Sequence, residues 1–265
     1  MFDIFKEHKD NIKNIFYLSF IDLKKTYGGS KLSWFWAILK PVFQIFVYWF
    51  TFAVGIRVNK TVDDCPYFLW LLAGLIPWFY ISDMLSKGSD AIVKYAFLGS
   101  KIKFPVSIIP TFVSLSKLFV HCVLLIITII IFALSNHFSG IYTLYLLFYM
   151  LLMFLFFTMF AIFASCISAI SRDFSNFLHS SVVAIFWLSG IFWNTSKITN
   201  QTIRFIFKLN PVTYIVKGYR NCLINKVSIF SELDELIYFL IFLFIMTIIT
   251  MFTYKKTKKH IPDVL

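Results

Sequence analysis

The chain has 265 residues, 59% of them hydrophobic and only 14% charged, against roughly 45–50% and about 25% in soluble domains. That balance excludes an ordinary water-soluble domain and places the chain in a lipid bilayer. A formal charge of +12 would suggest nucleic acid in a soluble protein, but here the basic residues bracket oily runs and report orientation and lipid headgroups.

The first expected element is an amphipathic helix from Ile12 to Lys25. Ile12, Ile15, Phe16, Phe20 and Leu23 recur at helical spacing, with Lys13, Asn14, Tyr17 and Lys24 mainly opposite. The pattern fits a dedicated helix in the inner interface and a plain amphipathic anchor equally well. No cleavable signal is expected, since the first apolar run follows a Lys-rich segment and is long and aromatic.

Six stretches reach the roughly 20 apolar residues that a crossing needs: Trp34 to Gly55, Tyr67 to Leu85, Val106 to Leu134, Tyr142 to Ile170, Phe174 to Trp193 and Leu236 to Tyr254. They fill most of the chain, so one domain over residues 1–265 is expected, with residues 1–31 as an interface segment, spans one to five within 34–193, an outer hairpin at 199–224, span six at 236–254 and a tail at 255–265. The fold class is therefore an all-α integral membrane protein with six transmembrane helices. Lys40-Pro41 lies inside span one, where the ammonium can snorkel to headgroups and the proline can kink the helix. Lys117 and His121, four residues apart in span three, should face the interior, because intramembrane polar groups face protein or water; structural and functional roles both remain open.

Orientation follows from Lys and Arg in the short loops. Fifteen fall in the N-terminal segment, the second and fourth loops and the tail, and eight in the alternate loops. Both termini are thus expected in the cytoplasm. The segment FKLNPVTYIVKGYR, Phe207 to Arg220, then falls outside and breaks the trend. Asn210-Pro211 offers an N-cap followed by proline at the first helical position. The two pieces it separates, Thr199 to Leu209 and Pro211 to Ile224, are each about half a bilayer long. A re-entrant helical hairpin and a surface-lying outer loop both satisfy that pattern. In the hairpin, Val212, Ile215, Val216, Tyr219 and Leu223 form an apolar face expected to pack on spans one and five, leaving Lys217 and Arg220 near headgroups or cargo.

Between spans two and three, Ser86 to Phe104 places Ile92, Tyr95, Ala96 and Ile102 at helical intervals, with Pro105 as a stop. It fits a cytoplasmic helix projecting into a partner's groove and an ordinary interfacial helix alike. Cys122 and Cys166 read as small apolar fillers; whether Cys65 and Cys222, both outside, pair is open.

No G-x-x-x-x-G-K phosphate loop occurs, so ATP use would need a partner, and the scattered histidines carry no metal-ligand spacing. The acids cluster at span ends, which disfavours an intramembrane catalytic acid or a proton-coupled carrier.

Taken together, DLKKTYGGSKLSWFWAILKP (Asp22 to Pro41), PYFLWLLAGLIPWFY (Pro66 to Tyr80), KIKFP (Lys101 to Pro105), SRD (Ser171 to Asp173) and FKLNPVTYIVKGYRNCLI (Phe207 to Ile224) resemble, in order, the permease subunit of ABC-2 type exporters of lipid-linked polysaccharides such as O-antigen, capsule and teichoic acid. The resemblance implies a permease in the bacterial cytoplasmic membrane, working as a homodimer with two copies of a separate ATPase that holds ATP and Mg²⁺; this chain would bind no cofactor and no nucleic acid. It implies a coupling helix with Ile92, Tyr95, Leu98 and Lys101 toward the ATPase, and an external gate built from Asn210, Pro211, Tyr214, Lys217, Tyr219 and Arg220. Sugars slide over aromatic faces, so Trp34, Trp36, Tyr48, Trp78 and Trp187 are substrate-path candidates, with Lys31 and Lys40 placed to attract a carrier diphosphate or simply to anchor the chain. One departure is Ser189-Gly190-Ile191, where relatives often show Ser-Pro-Ile. The alternative class is an integral membrane acyl- or glycosyltransferase acting on the same lipids; it would want a His-Asp or acidic cluster at one membrane face.

Overall fold

The computed structural model describes residues 3–28, 33–55, 61–62, 64–101, 104–195 and 198–261. Apart from a two-residue ribbon, Thr61–Val62 paired antiparallel with Cys65–Pro66, the described elements are helical. In chain order they are α1 (Asp3–Asp10), α2 (Ile12–Tyr27), α3 (Ser33–Phe50), α4 (Tyr67–Asp83), α5 (Ala91–Lys94), α6 (Ala96–Lys101), α7 (Ile108–Leu134), α8 (Tyr145–Ile170), α9 (Arg172–Trp187), α10 (Gln201–Leu209), α11 (Pro211–Arg220) and α12 (Leu233–Thr257). Single π- or 3₁₀-turns extend several of them.

Among the described residues, five continuous helical stretches are long and apolar enough to cross a membrane: Phe35–Gly55, Tyr67–Gly88, Ile108–Leu134, Gly140–Ile170 and Ile229–Thr257. They coincide with five of the six expected spans. The remaining one, Phe174 to Trp193, is helical only to Trp187, which makes α9 a helix of 16 residues. Its early stop coincides with a left-handed glycine and with side chains that reach in from other segments. Gly190 sits at φ +67°, open to glycine and closed to proline, whose ring holds φ near −65°. The carbonyls freed there are taken up by other segments: Asn210 Nδ2 donates to Leu188 O, and Arg220 donates to Gly190 O and Ile191 O.

α4 is the hub. A helix that is apolar all round belongs in the middle of a bundle, and Leu71, Ala73, Leu75 and Ile81 of α4 are completely buried. It packs against α3, α7, α8 and α11. By contrast α3 shows Phe43, Phe46, Val47 and Phe50, and α12 shows Ile241, Phe244, Ile248 and Phe252, to the surroundings. In a bilayer such faces suit contact with lipid.

Both chain ends gather at one end of the bundle. Glu7 of α1 accepts from Ser107 and Tyr254, His8 bonds Thr111, and Lys258 pairs with Asp3 at 2.6 Å. α2 lies against α7, which covers only part of its apolar stripe. Ile15, Ser19, Asp22 and Leu23 turn inward while Ile12, Phe16 and Phe20 stay exposed; Asp22 meets Tyr95 and Lys94 there, and Ser19 Oγ donates to Phe16 O of its own helix. Cys122, Cys166 and Cys222 are free thiols, so Cys222 is not joined to Cys65.

Close packing generates one expectation. A Cβ on Gly218 of α11 would lie 2.2 Å from Tyr149 Cε1 of α8, and Tyr149 is itself buried and packed against Tyr214. Gly218→Ala should therefore destabilise the full-length chain by roughly 1–3 kcal/mol, the usual range for overpacking, read as a lower Tm in detergent.

Candidate functional site

The break at Asn210-Pro211 builds two short helices in the expected way. Asn200 Oδ1 caps α10 by accepting from the amides of Thr202 and Ile203. Asn210 Oδ1 caps α11 by accepting from the Val212 amide at 2.9 Å, and Pro211 occupies the first turn, where its missing N–H costs nothing. Nδ2 of the same Asn210 reaches Leu188 O and Ser189 Oγ, so one side chain caps a helix and ties it to the end of α9.

The apolar face of α11 is buried at Val212, Ile215, Val216, Tyr219 and Leu223, as the pattern requires. Its neighbours differ from expectation: α11 packs chiefly on α4, with α8 next, rather than on the helices of spans one and five. Arg220 explains the choice. It is buried, and its guanidinium carbon lies 3.4 Å over the centre of the Trp70 ring of α4. Its terminal nitrogens donate to Gly190 O at 2.7 Å and Ile191 O at 2.6 Å, and Nε donates to Trp70 O. A planar cation with a fixed fork of donors is suited to that combination of ring and carbonyls. Gly74, one turn along α4, leaves the space: a Cβ there would stand 2.7 Å from Arg220 Nη2. Lys217 is likewise engaged, pairing with Glu232 and Glu235 at 2.8 Å each at the start of α12. Neither basic residue reaches outward as the sequence pattern suggested. Tyr214 stacks on Phe239 of α12, and Tyr219 donates to or accepts from His121 Nε2 of α7 at 2.8 Å.

At the opposite end, α5 and α6 form the connection between α4 and α7. Tyr95 bonds Asp22 Oδ1 of α2, and Lys94 pairs with the same oxygen at 3.3 Å. Burial alone would raise the Asp22 carboxyl; the Tyr95 hydroxyl and the Lys94 charge outweigh it and hold the carboxyl below its ordinary value. Burial, reinforced by that carboxylate, pushes the Tyr95 phenol well above its ordinary range. Asp90 accepts from Ser175 and His179 of α9, bringing a third helix to the same platform. Ile92 and Tyr95 therefore face inward, Leu98 is half-buried, and Val93, Lys94 and Phe97 are exposed. The side chain of Lys101 lies outside the described residues.

A cavity of about 680 Å³ opens between α2, α3, α4 and α7, with Tyr27, Trp36, Lys40, Asp83, Lys87, Lys117 and His121 among its walls. Lys40 and Trp36 are thus brought together in one cavity. Trp78 is buried against Phe186 and serves packing, Tyr48 is half-buried between Phe186 and Phe192, and Trp187 is exposed beside Phe192. Lys31 and the side chain of Trp34 lie outside the described residues. Partners in three places were missed by sequence reasoning: Trp70 under Arg220, the Glu232/Glu235 pair beside Lys217, and Asp22 under Tyr95. The Glu232/Glu235 pair carried a signal, two acids three residues apart at a span end facing a basic segment; the other two had none.

The family model described as ABC-2 type transporter matches residues 13–224. The chain belongs to that family. The matched region runs from α2 through α11 and the turn after it, so every feature of this ABC-2 chain described above except the α1 and α12 contacts lies inside it. Over 97 residues the chain is 34% identical to the O-antigen export system permease protein RfbA of Myxococcus xanthus, a match covering 37% of this chain and 36% of that relative. Two proteins of the same name from Klebsiella pneumoniae match over longer regions. One is 23% identical over 219 residues, 82% of each chain, and the other 24% identical over 216 residues, 81% of this chain and 82% of the relative.

The Arg220 contact can be tested directly. Arg220→Leu leaves two carbonyls at the α9 end without donors and should cost roughly 2–3 kcal/mol. Arg220→Lys retains charge but loses the planar fork and should recover less than half of that loss. Thermal unfolding of the full-length variants in detergent separates the two.

Proposed function

We propose that this chain is the permease subunit of an ATP-driven exporter that moves a lipid-linked polysaccharide across the bacterial cytoplasmic membrane. The observation that carries the reading is the continuous family match, together with O-antigen export permeases that align over four-fifths of the chain. In this reading two copies of the chain form the channel, and two copies of a separate ATPase, holding ATP and Mg²⁺, dock on the end that carries both termini.

On that orientation α9 completes a sixth crossing. It begins beside Asp90, at the end with the termini, and ends beside Arg220, at the other. α10 and α11, with 9 and 10 residues, are re-entrant and enter only the outer leaflet. α2 serves as the interface helix and α5–α6 as the coupling element. Phe97, Val93 and Lys101 offer the ATPase contact, while Ile92, Tyr95 and Leu98 carry its displacement inward to α2, α7 and α8. The hairpin is the outer gate: Asn210 and Pro211 shape its turn, and Tyr214, Lys217, Tyr219 and Arg220 hold it closed on α4, α7 and α12. Trp36, Tyr48 and Trp187 present ring surface toward the route of the glycan.

Co-expression with a candidate ATPase supplies the test. The pair should co-purify, and ATP-dependent appearance of the glycan at the cell surface should require both proteins; surface glycan that persists without this chain would overturn the reading. Phe97→Asp combined with Lys101→Glu should abolish co-purification while the amount of inserted permease is unchanged.

Orientation is checked by thiol labelling. A cysteine replacing Lys217 should react with an impermeant reagent added from outside and one replacing Val212 should be shielded. Labelling of the Lys217 position from the cytoplasmic side alone would reverse the assignment.

A further inference from the structure

The cavity between α2, α3, α4 and α7 contains an unusual group. Lys117 of α7 is 4% exposed, and its Nζ meets no hydrogen-bond acceptor among the described residues. The Tyr27 ring lies 5.4 Å away, and the charges of Asp83 and Asp22 act on the ammonium without a direct hydrogen bond. An ammonium at that depth is costly unless an anion or water accompanies it.

The nearby carboxylates are largely taken by other cations, although the buried Asp22 Oδ2 has no hydrogen-bond partner among the described residues. Asp83, on the opposite wall, is held by Lys87 at 2.7 Å, and the Asp22 Oδ1 atom is shared by Tyr95 and Lys94. Among the described lining residues three lysines, Lys40, Lys87 and Lys117, face one carboxylate. The site therefore carries surplus positive charge and an unsatisfied donor, which together select an anion.

The rest of the lining selects what the anion is attached to. Trp36, Pro41, Val120 and Leu124 continue the wall as apolar surface. Leu124 lies seven residues beyond Lys117 on α7, about 10 Å along the helix axis. A free inorganic anion has no use for that surface. A headgroup with its first acyl or prenyl carbons fills both parts.

We propose that this cavity binds the phosphate or diphosphate headgroup of a lipid, with Lys117 as the deepest contact, Lys40 at the mouth and the lipid chain along Val120 and Leu124. The inference rests on the exporter reading only for which lipid is carried. The binding site itself stands on the orphaned ammonium and the cavity.

The test uses the full-length chain in detergent, with farnesyl diphosphate, dioleoylphosphatidylglycerol and inorganic diphosphate as probes and ligand-dependent thermal stabilisation as the readout. At least one lipid probe should bind saturably and more tightly than inorganic diphosphate. Preference for farnesyl diphosphate assigns the site to an isoprenoid carrier, and preference for phosphatidylglycerol assigns it to a resident phospholipid; both support a lipid-phosphate site. Lys117→Met should weaken the preferred lipid about tenfold, as expected for a lost charge-assisted bond. Lys117→Arg should retain most of the affinity, and Lys13→Gln, on the exposed side of α2, should change nothing. If Lys117→Met fails to fold, Lys40→Gln at the mouth must weaken binding in its place. Unchanged affinity in the folded variants, or inorganic diphosphate binding as tightly as both lipids, overturns the proposal. Glycan export that continues in a Lys117→Met strain whose purified permease has lost lipid binding would refute a role for the site in export while leaving the exporter reading intact.

Discussion

A guanidinium buried in an apolar bundle must have all its donors directed at something, and the placement of Arg220 follows from that constraint. The chain answers it with groups that are themselves in need of partners. The end of α9 leaves carbonyls that no longer bond within a helix, and Gly190 at φ +67° turns them toward α11. Trp70 supplies the flat face. Two deficits, an over-supplied donor and under-supplied acceptors, thus cancel at one place, fixing α9, α11 and α4 relative to one another. The missing side chain at Gly74 is part of the same arrangement, since the guanidinium occupies the volume a Cβ would need.

Elsewhere the bundle uses shorter polar links for the same reason. Lipid offers no hydrogen bonds, and several hydroxyls in the interior bond to backbone or to each other. Tyr80, Ser114 and Thr158 form a chain across α4, α7 and α8, and Thr250 of α12 reaches Met159 O of α8. His121 and Tyr219 join α7 to α11 in the same manner. These bonds add direction to packing that apolar side chains alone leave degenerate. Lys117, one turn from His121, lacks any such link, and among the buried polar atoms without a hydrogen-bond partner in the described residues its Nζ is the ammonium.

What was legible in the sequence was mostly what one helix determines alone. The long apolar runs gave five of the spans, because length and hydropathy are local quantities. The Asn210-Pro211 break gave the α10–α11 turn, because capping and the proline ring act within a few residues. The inward faces of Lys117 and His121 followed from the cost of charge in lipid. Facing toward particular partners was not legible. Ile92 and Tyr95 looked like an outward-facing stripe because amphipathic spacing marks a face without saying what covers it; Asp22, more than seventy positions away, decides that Tyr95 turns in. The short α9 depended on Gly190, whose conformation is settled by Arg220 and Asn210 across the bundle. The wrong neighbours assigned to α11 have the same origin, since an apolar face fits any apolar surface and the selection was made by one cation and one ring.

The basic hairpin that seemed to contradict the charge rule can now be understood on the orientation proposed above. The rule concerns positive charge that must cross to, or remain on, the outer side without compensation. Lys217 is balanced by Glu232 and Glu235, and Lys208 lies 3.6 Å from Glu235. Arg220 spends its charge on carbonyl dipoles and a ring inside the protein. Three of the eight outer-side cations are thereby accounted for by internal partners, and those three lie in the segment that raised the objection. At the opposite end Lys13 and Lys24 remain exposed on α2, placed to meet anionic headgroups. Raw loop counts understate the asymmetry, because what the membrane senses is the uncompensated charge, and folding has removed most of it from the hairpin.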